Sequence, residues 1–278
     1  MAESSVRDFY DALAGDYHLM FADWDRSMAR QAAVLDGLVR HRLGERPHRI
    51  LDCACGIGTQ AVGLALRGHE VVGGDLSPVA AARAAAEASA RGTRLATVAA
   101  DMRALPFAPA SFDVVLCADN SLAHLLTAHD VTRALTGMRR TLRDGGLLVL
   151  TVRAYDELRR THPTATPPQV ARTPDGRAIT FQLWHWHEDG ERYDLEHFQL
   201  VPAAGGWQVR VRRTTSWALT RAQVTRLVTE AGFTDIMWHE PDTGGYYQPV
   251  LTARRGGRTR RGTPGSGRPD DKGGSSRA

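Results

Sequence analysis

Between Arg49 and Arg153 the chain alternates short apolar runs with longer stretches whose apolar positions recur every three or four residues. The runs 50–53, 70–74, 94–99, 112–117 and 146–152 have the length of buried strands, and 59–67, 77–91 and 128–143 carry helical periodicity. Residues 100–111 show neither pattern and read as an irregular crossover. Strands and helices in alternation imply parallel strands joined by right-handed crossovers, a doubly wound α/β sheet. A ligand of such a sheet binds at the carboxyl ends of the strands, where the chain order reverses.

The pattern differs on either side. Phe9, Tyr10, Leu13, Tyr17, Leu19, Met20 and Phe21 predict an amphipathic helix after Arg7, and Met28, Val34, Leu35, Leu38 and Val39 predict a second over 27–43. After Arg153 a loop rich in Pro and Thr (161–174) leads into 178–187, 191–200 and 207–217. These alternate polar and apolar residues and are separated by Asp189-Gly190 and Gly205-Gly206, which predicts an antiparallel β-meander with two hairpin turns. A helix over 220–231, capped by Thr220 and stopped by Gly232, follows. Strands over 234–240 and 246–253, joined by a turn at Asp242-Thr243-Gly244-Gly245, then close a seven-stranded Rossmann-like sheet with an antiparallel hairpin.

With 278 residues and 42% hydrophobic content the chain can bury one full core. No apolar run approaches the ~20 residues of a membrane span, and Met1 to Arg7 lacks the basic and apolar regions of a secretory leader. A cytoplasmic protein with no membrane partner is therefore expected. Cys53, Cys55 and Cys117 read as reduced thiols packed on central strands, because Cys53-Ala54-Cys55 lacks the further ligands a zinc site needs. No metal is expected. Of the net charge of +4, residues from Arg254 onward carry +6 and the rest −2, so the globular body is not basic. The tail has no apolar periodicity and is expected to be disordered and solvated, a nucleic-acid tether being the other reading.

The chemistry concentrates in Ile50-Leu51-Asp52-Cys53-Ala54-Cys55-Gly56-Ile57-Gly58-Thr59-Gln60, where an apolar strand meets a helix through a turn of small residues. Two nucleotide-like ligands suit such a turn. Gly56 to Ala61 fits the G-x-G-x-x-A loop of a dinucleotide site, with Asp75 on the next strand for a ribose. The S-adenosylmethionine (SAM) loop of class I methyltransferases uses the same acid and adds an Asp on the strand before the glycines, the place of Asp52. A carboxylate at that buried strand end needs a partner, and the cationic amino end of SAM, or water bound to it, supplies one. Gly56 and Gly58 are expected to let the ligand approach backbone, and N–H groups at Thr59 and Gln60 point toward it. Asp75 reads as the ribose acceptor rather than a helix cap, since Ser77 already suits the cap. Arg30 is either an exposed helix residue or a clamp for the methionine carboxylate.

Four spaced motifs make residues 5–253 resemble the class I SAM-dependent methyltransferases, most of all the glycine N-methyltransferase type. That type has Asp-Val-Ala-Cys-Gly-Thr-Gly where this chain has Asp52 to Gly58, and Gly-Asn-Ser-Phe-Ala-His-Leu where it has Asp119-Asn120-Ser121-Leu122-Ala123-His124-Leu125. It has His-Arg-Asn-Tyr-Asp where this chain has Val152-Arg153-Ala154-Tyr155-Asp156. The resemblance implies SAM as cofactor, held by Asp52, Ala54, Gly56, Gly58 and Asp75. It places Asp101 at the adenine amino group, with Leu76 and Met102 on the ring faces. It supports Arg30 on the SAM carboxylate and assigns Arg153 to the carboxylate of the acceptor. The domains it implies are a helical lid over 1–44, a core over 45–153 and 218–254, a β insertion on the substrate side over 154–217, and the tail over 255–278.

Three departures mark the acceptor side. Asp119 replaces a glycine, the amino-terminal arm and meander match poorly, and Trp184, His185, Trp186 and His187 form an unusually aromatic strand. Asp119, Asn120 and His124 should border the transferring methyl, Asp119 as proton acceptor or ammonium partner, or as a loop cap. Tyr10, Tyr17 and Trp24 offer aromatic faces to a sulfonium or amine, or belong to the core. Trp184 and Trp186 share one sheet face, as substrate wall with Tyr155 or as packing, and His185 and His187 share the other as exposed polar positions. The expected reaction is methyl transfer to a small molecule, at the nitrogen of an amine or amino-acid-like compound. Carbon methylation of an electron-rich ring such as an indole at C3 is the alternative. An NAD-binding oxidoreductase is a remote one. Nucleic acid is not an expected partner, since no Asn-Pro-Pro-Tyr or Pro-Cys motif is present. A homo-oligomer is compatible with the sequence.

Overall fold

A computed structural model describes residues 5–174, 176–241 and 245–256. The run Arg49–Asp52 forms β1, paired in parallel with β2 (Glu70–Asp75) on one side and β4 (Phe112–Cys117) on the other. β3 (Ala96–Ala99) continues beyond β2, and β5 (Leu142–Thr151) beyond β4. β10 (Phe233–His239) and β11 (Val250–Arg255) complete the order β10-β11-β5-β4-β1-β2-β3, with β11 antiparallel to both neighbours. The chain order reverses at β1/β4, so the loops after β1, β2 and β4 gather at one edge.

Every residue of β4 is buried, because helices cover both faces. One apolar layer joins α2 (Trp24–Leu43), α3 (Thr59–Leu66) and α4 (Pro78–Ala90) to the sheet, and the other joins α5 (Ala128–Thr141) and α7 (Arg221–Glu230). Thr220 caps α7 in a reciprocal capping box with Gln223, and Gly232 after it has φ +84°, as expected of these residue types. Among the described residues no helix is long and apolar enough to cross a membrane.

The meander is a separate sheet of four strands rather than three, since Gln169–Thr173 adds β6 against β7 (Gly176–Trp186). β6 falls inside the expected loop. With only Val170 and Ala171 as apolar residues, its pairing is decided by β7 and not by its own pattern. β8 (Arg192–Ala203) and β9 (Gly206–Trp217) follow, with Gly190, Gly205 and Gly206 at positive φ in the turns.

Other boundaries move for local reasons. The amino-terminal helix is α1 (Val6–Leu13), followed by a separate 3-10 turn over Tyr17–Met20, since Gly15-Asp16 interrupts the periodicity. α2 starts at Trp24 rather than residue 27, because the Asp23 side chain accepts from the Arg26 N–H. A short helix α6 (Tyr155–Thr161), with few apolar residues to announce it, follows β5. β11 begins only after Pro249, leaving Tyr246-Tyr247 as a loop over the sheet edge. Residues 242–244 of the expected turn, and the tail from 257, lie outside the described residues.

Candidate functional site

A cavity of about 260 Å³ opens at the carboxyl ends of β1, β2 and β3, lined among others by Ala54, Gly56, Asp75, Leu76, Asp101, Met102, Tyr10 and Tyr17. Asp75 ends β2 with each carboxylate oxygen accepting one backbone N–H, from Gly56 at 2.7 Å and from Ser77 at 2.8 Å. Each oxygen keeps a free lone pair facing the cavity, so the group can accept two vicinal hydroxyls at once. Burial raises its pKa, partly offset by the Ser77 and Gly56 amides. Ser77 caps α4 with its own side chain, so Asp75 is not needed there. Leu76 and Met102 provide apolar surface beside the polar edge of Asp101, a slot suited to a flat heterocycle. The Asp101 carboxylate also pairs with Arg103 at 2.6 Å.

The two glycines of the turn do different work. A Cβ on Gly56 (φ +52°) meets no protein atom within 4 Å, and the residue lines the cavity, leaving its backbone open to a ligand. A Cβ on Gly58 (φ +95°) would sit 2.7 Å from Val62 Cγ2 and 3.2 Å from Ala84 Cβ. Gly58 is absent from the cavity lining and serves the close packing of α3 on α4, whereas a ligand approach was expected there. Asp52 also lies off the lining, fully buried before the turn, with neither carboxylate oxygen hydrogen-bonded among the described residues. Burial pushes its pKa up to about 8; the Ala54 amide lowers it in part without reaching hydrogen-bond geometry.

Two other expected cofactor residues are not brought to the cavity. Arg30 is exposed, because the buried stripe of α2 runs through Met28, Gln31, Ala32 and Leu35 and turns residue 30 to solvent. Trp24 is buried elsewhere, donating from Nε1 to Thr59 Oγ1 at 2.9 Å with Arg83 and Arg91 against its ring.

A second, smaller cavity of about 50 Å³ lies beneath α1 and against the β6–β9 sheet. Tyr10, Tyr17, Asp119 and His124 line both cavities and so mark their junction. Asp119 follows β4 at φ +53°, with its N–H donating to Thr151 Oγ1 at 2.8 Å and its carboxylate accepting from the Tyr247 hydroxyl. Burial pushes its pKa up to about 6, against the lowering influence of Gln60, Tyr246 and Arg153. His124 shares a 2.8 Å hydrogen bond between Nε2 and the Tyr10 hydroxyl, and among the described residues its buried Nδ1 has no partner in hydrogen-bond geometry, the Thr215 backbone being the interaction nearby. Burial pushes this imidazole down to about 4, so it is neutral near pH 7, and burial holds the phenols of Tyr10 and Tyr17 protonated.

Arg153, just beyond β5, lines the small cavity. Its Nη1 donates to the Tyr193 hydroxyl at 3.2 Å and its Nη2 to Gln182 Oε1 at 3.1 Å. Among the described residues no carboxylate comes within 4 Å of it. Asn120 bridges the region, accepting from the Arg153 N–H at 3.2 Å and donating to the Tyr155 hydroxyl at 2.8 Å.

The remaining expected substrate residues stand behind this wall. Tyr155 is fully buried, hydrogen-bonded to Tyr193 at 2.9 Å, and lines neither cavity. Trp184 stacks on Tyr193 at 4.7 Å, and Trp186 donates to the Pro163 carbonyl and packs on His162. Their shared face turns toward the core, so packing and not substrate contact is what the register provides. His185 and His187 point outward and pair with Glu196 and Asp194. Residues that sequence reasoning missed include Gln60 and Tyr246, which meet Gln31 at 2.7 and 2.8 Å. Gln182, Tyr193 and His197 of the meander were missed as well. Period-two alternation was the available signal for the last three.

Comparison with known proteins agrees with this geometry. Residues 50–146 match the family described as Methyltransferase domain. A glycine/sarcosine N-methyltransferase of Parasynechococcus marenigrum is 36% identical over 237 residues, covering 84% of this chain and 80% of that protein. A demethylmenaquinone methyltransferase of Thermus thermophilus is 40% identical over 110 residues, 39% of this chain and 48% of that one. Among solved structures, a SAM-bound amino pentose methyltransferase of Micromonospora echinaspora superposes with TM-score 0.67 at 22% identity, covering 88% of this chain and 96% of its own. The sugar N-methyltransferase of a Streptoalloteichus species gives TM-score 0.68 at 21% identity, over 92% and 95%. With the Asp75 and Gly56 cradle at the strand ends and relatedness spread over 80% of the cyanobacterial enzyme, the chain belongs to the class I SAM-dependent methyltransferases.

Proposed function

We propose that this methyltransferase acts on the nitrogen of a small amine or amino-acid-like acceptor whose carboxylate is held by Arg153. One observation carries the reading: a partly buried guanidinium, fixed by Tyr193 and Gln182 and without an acidic partner among the described residues, lines a small cavity that joins the cofactor cavity. A charge partly withdrawn from water gains from an opposite partner, and a carboxylate completes the fork of donors. The N-methyltransferases among the relatives support the same class of acceptor.

When bound, SAM supplies an electrophilic methyl on a sulfonium. Asp75 would take the ribose hydroxyls, Asp101, Leu76 and Met102 would surround the base, and Ala54 and Gly56 would present backbone. The protein's part in the reaction is to orient the acceptor and keep water out, since an in-line displacement needs no covalent residue. The nitrogen lone pair would form the new N–C bond as the S–C bond breaks with its electron pair left on sulfur, and a proton would leave the nitrogen. Asp119, at the junction of the cavities, is ionised above about pH 6 and can hold the ammonium or accept that proton. The neutral His124 and the protonated phenols of Tyr10 and Tyr17 orient the acceptor without adding positive charge. Residues 5–43 would act as the lid, and 154–217 as the acceptor side. Trp184 and Trp186, one reading of which was a substrate wall, are engaged in packing and so offer an aromatic acceptor no stacking face.

A screen of amines, amino acids, indoles and phenols with SAM, read by mass spectrometry, tests the proposal. Methylated amine or amino acid is the expected product; methylation confined to aromatic carbon or to oxygen would overturn it.

A further inference from the structure

The face of the β6–β9 sheet that turns toward the core sets polar residues among its apolar ones, where an inward face is ordinarily apolar. Register places Gln182, His197 and Arg212 in one row across β7, β8 and β9, and Trp184, Leu195 and Thr214 in the next. Gln182 Oε1 accepts from Arg153 and Trp184. Only 1% of His197 and 7% of Thr214 is exposed, yet among the described residues both ring nitrogens of the one and Oγ1 of the other lack a hydrogen-bond partner. Leaving such groups unpaired forfeits their hydration with nothing in return, and native structures rarely tolerate it. Both residues line the small cavity that Arg153 also lines.

We propose that His197 and Thr214 form a second hydrogen-bonding subsite that takes a neutral hydroxyl on the acceptor, so that the substrate is a short hydroxy amino acid. The inference rests on the reading of an amino-acid acceptor held at Arg153. Burial, with Arg212 and Arg153 nearby, pushes His197 down to about 4, so its ring offers one donor and one acceptor. Thr214 offers a donor and acceptor of its own. A hydroxyl both donates and accepts and matches the pair. An ammonium has no acceptor capacity and would meet two guanidinium groups, and a second carboxylate has no donor. A cavity of about 50 Å³ restricts the group to a short side chain.

The test compares serine with alanine, and homoserine with 2-aminobutyrate, in the wild-type protein and in Thr214→Val and His197→Phe. The wild type should favour the hydroxyl member of at least one pair by about tenfold or more in kcat/KM, since a site built for a hydroxyl rejects the analogue lacking it. Both variants should bring that ratio close to one with the calorimetric Kd for SAM unchanged. Amino acids methylated without hydroxyl preference, or a preference that survives Thr214→Val, would overturn the subsite and leave the amino-acid reading standing. Failure to methylate any amino acid would sink both. Should His197→Phe not fold, the wild-type ratios and Thr214→Val decide.

Discussion

The Arg153 guanidinium lies 4.8 Å from the centre of the Trp184 ring, so one meander residue sets the plane of the cation while Tyr193 and Gln182 take a nitrogen each. A planar fork can satisfy this arrangement and still present donors to a carboxylate; a lysine ammonium keeps the charge and loses the geometry. Arg153→Lys should therefore raise KM for an amino-acid acceptor by about tenfold, equivalent to about 1.4 kcal/mol. The Kd for SAM should not move, because Arg153 lines the small cavity and not the large one. Steady-state kinetics beside calorimetry separate the two, and an unchanged KM removes the carboxylate role.

Asp75 carries the corresponding prediction for the cofactor. Its two oxygens already accept Gly56 and Ser77 amides, which aim the remaining lone pairs into the large cavity. Asp75→Ala should weaken SAM binding by about 1–3 kcal/mol through lost charged hydrogen bonds. Titration calorimetry reads this directly, and equal affinity in mutant and wild type would refute the ribose assignment.

The contrast between these sites and the misplaced residues shows what the sequence carried. Asp75, Gly56, Asp101 and Met102 were legible because each sits at a strand end fixed by local pattern, and the topology then brings those ends together. Arg30 was not, because helical periodicity with Met28, Leu35 and Val39 leaves room for a rotation that only packing settles. The structure buries Gln31 and exposes its neighbour. Tyr246 and Tyr247 reach Gln31 and Asp119 only when a loop far along the chain folds over the carboxyl end of β5, which no local signal encodes. Trp184 and Trp186 were placed on the correct common face, but whether that face met substrate or protein depended on Tyr193 across the ladder.

Gly56 and Gly58 should separate ligand binding from folding. Both have positive φ, so alanine is strained at either position. Only at Gly58 does the added carbon also overlap Val62 and crowd Ala84. Gly58→Ala should cost about 1–3 kcal/mol of additional stability from overpacking between α3 and α4. Gly56→Ala should show the smaller loss in melting temperature and the larger loss in SAM affinity relative to its stability. A reversed order in paired thermal melts and calorimetry would contradict the packing role of Gly58.

Asp52 makes a prediction about pH that needs no substrate. Its pKa in the fold is about 8 against an ordinary 3.8, so between these values the native state holds a proton that the unfolded chain has lost. Stability then falls as pH rises through that window. Asp119, raised to about 6, acts in the same direction over a narrower range, and Asp75 is also raised. His124 and His197, lowered from 6.5 to about 4, oppose them below pH 6.5, where the unfolded chain binds the extra protons. Above that value the opposition from these histidines ends, and the Asp52 contribution continues to about pH 8. The melting temperature of the SAM-free protein should decline between about pH 6.5 and 8, and Asp52→Asn should flatten the decline because an amide has no proton to lose. Parallel curves for the two proteins across this range would show that Asp52 is already ionised in the fold.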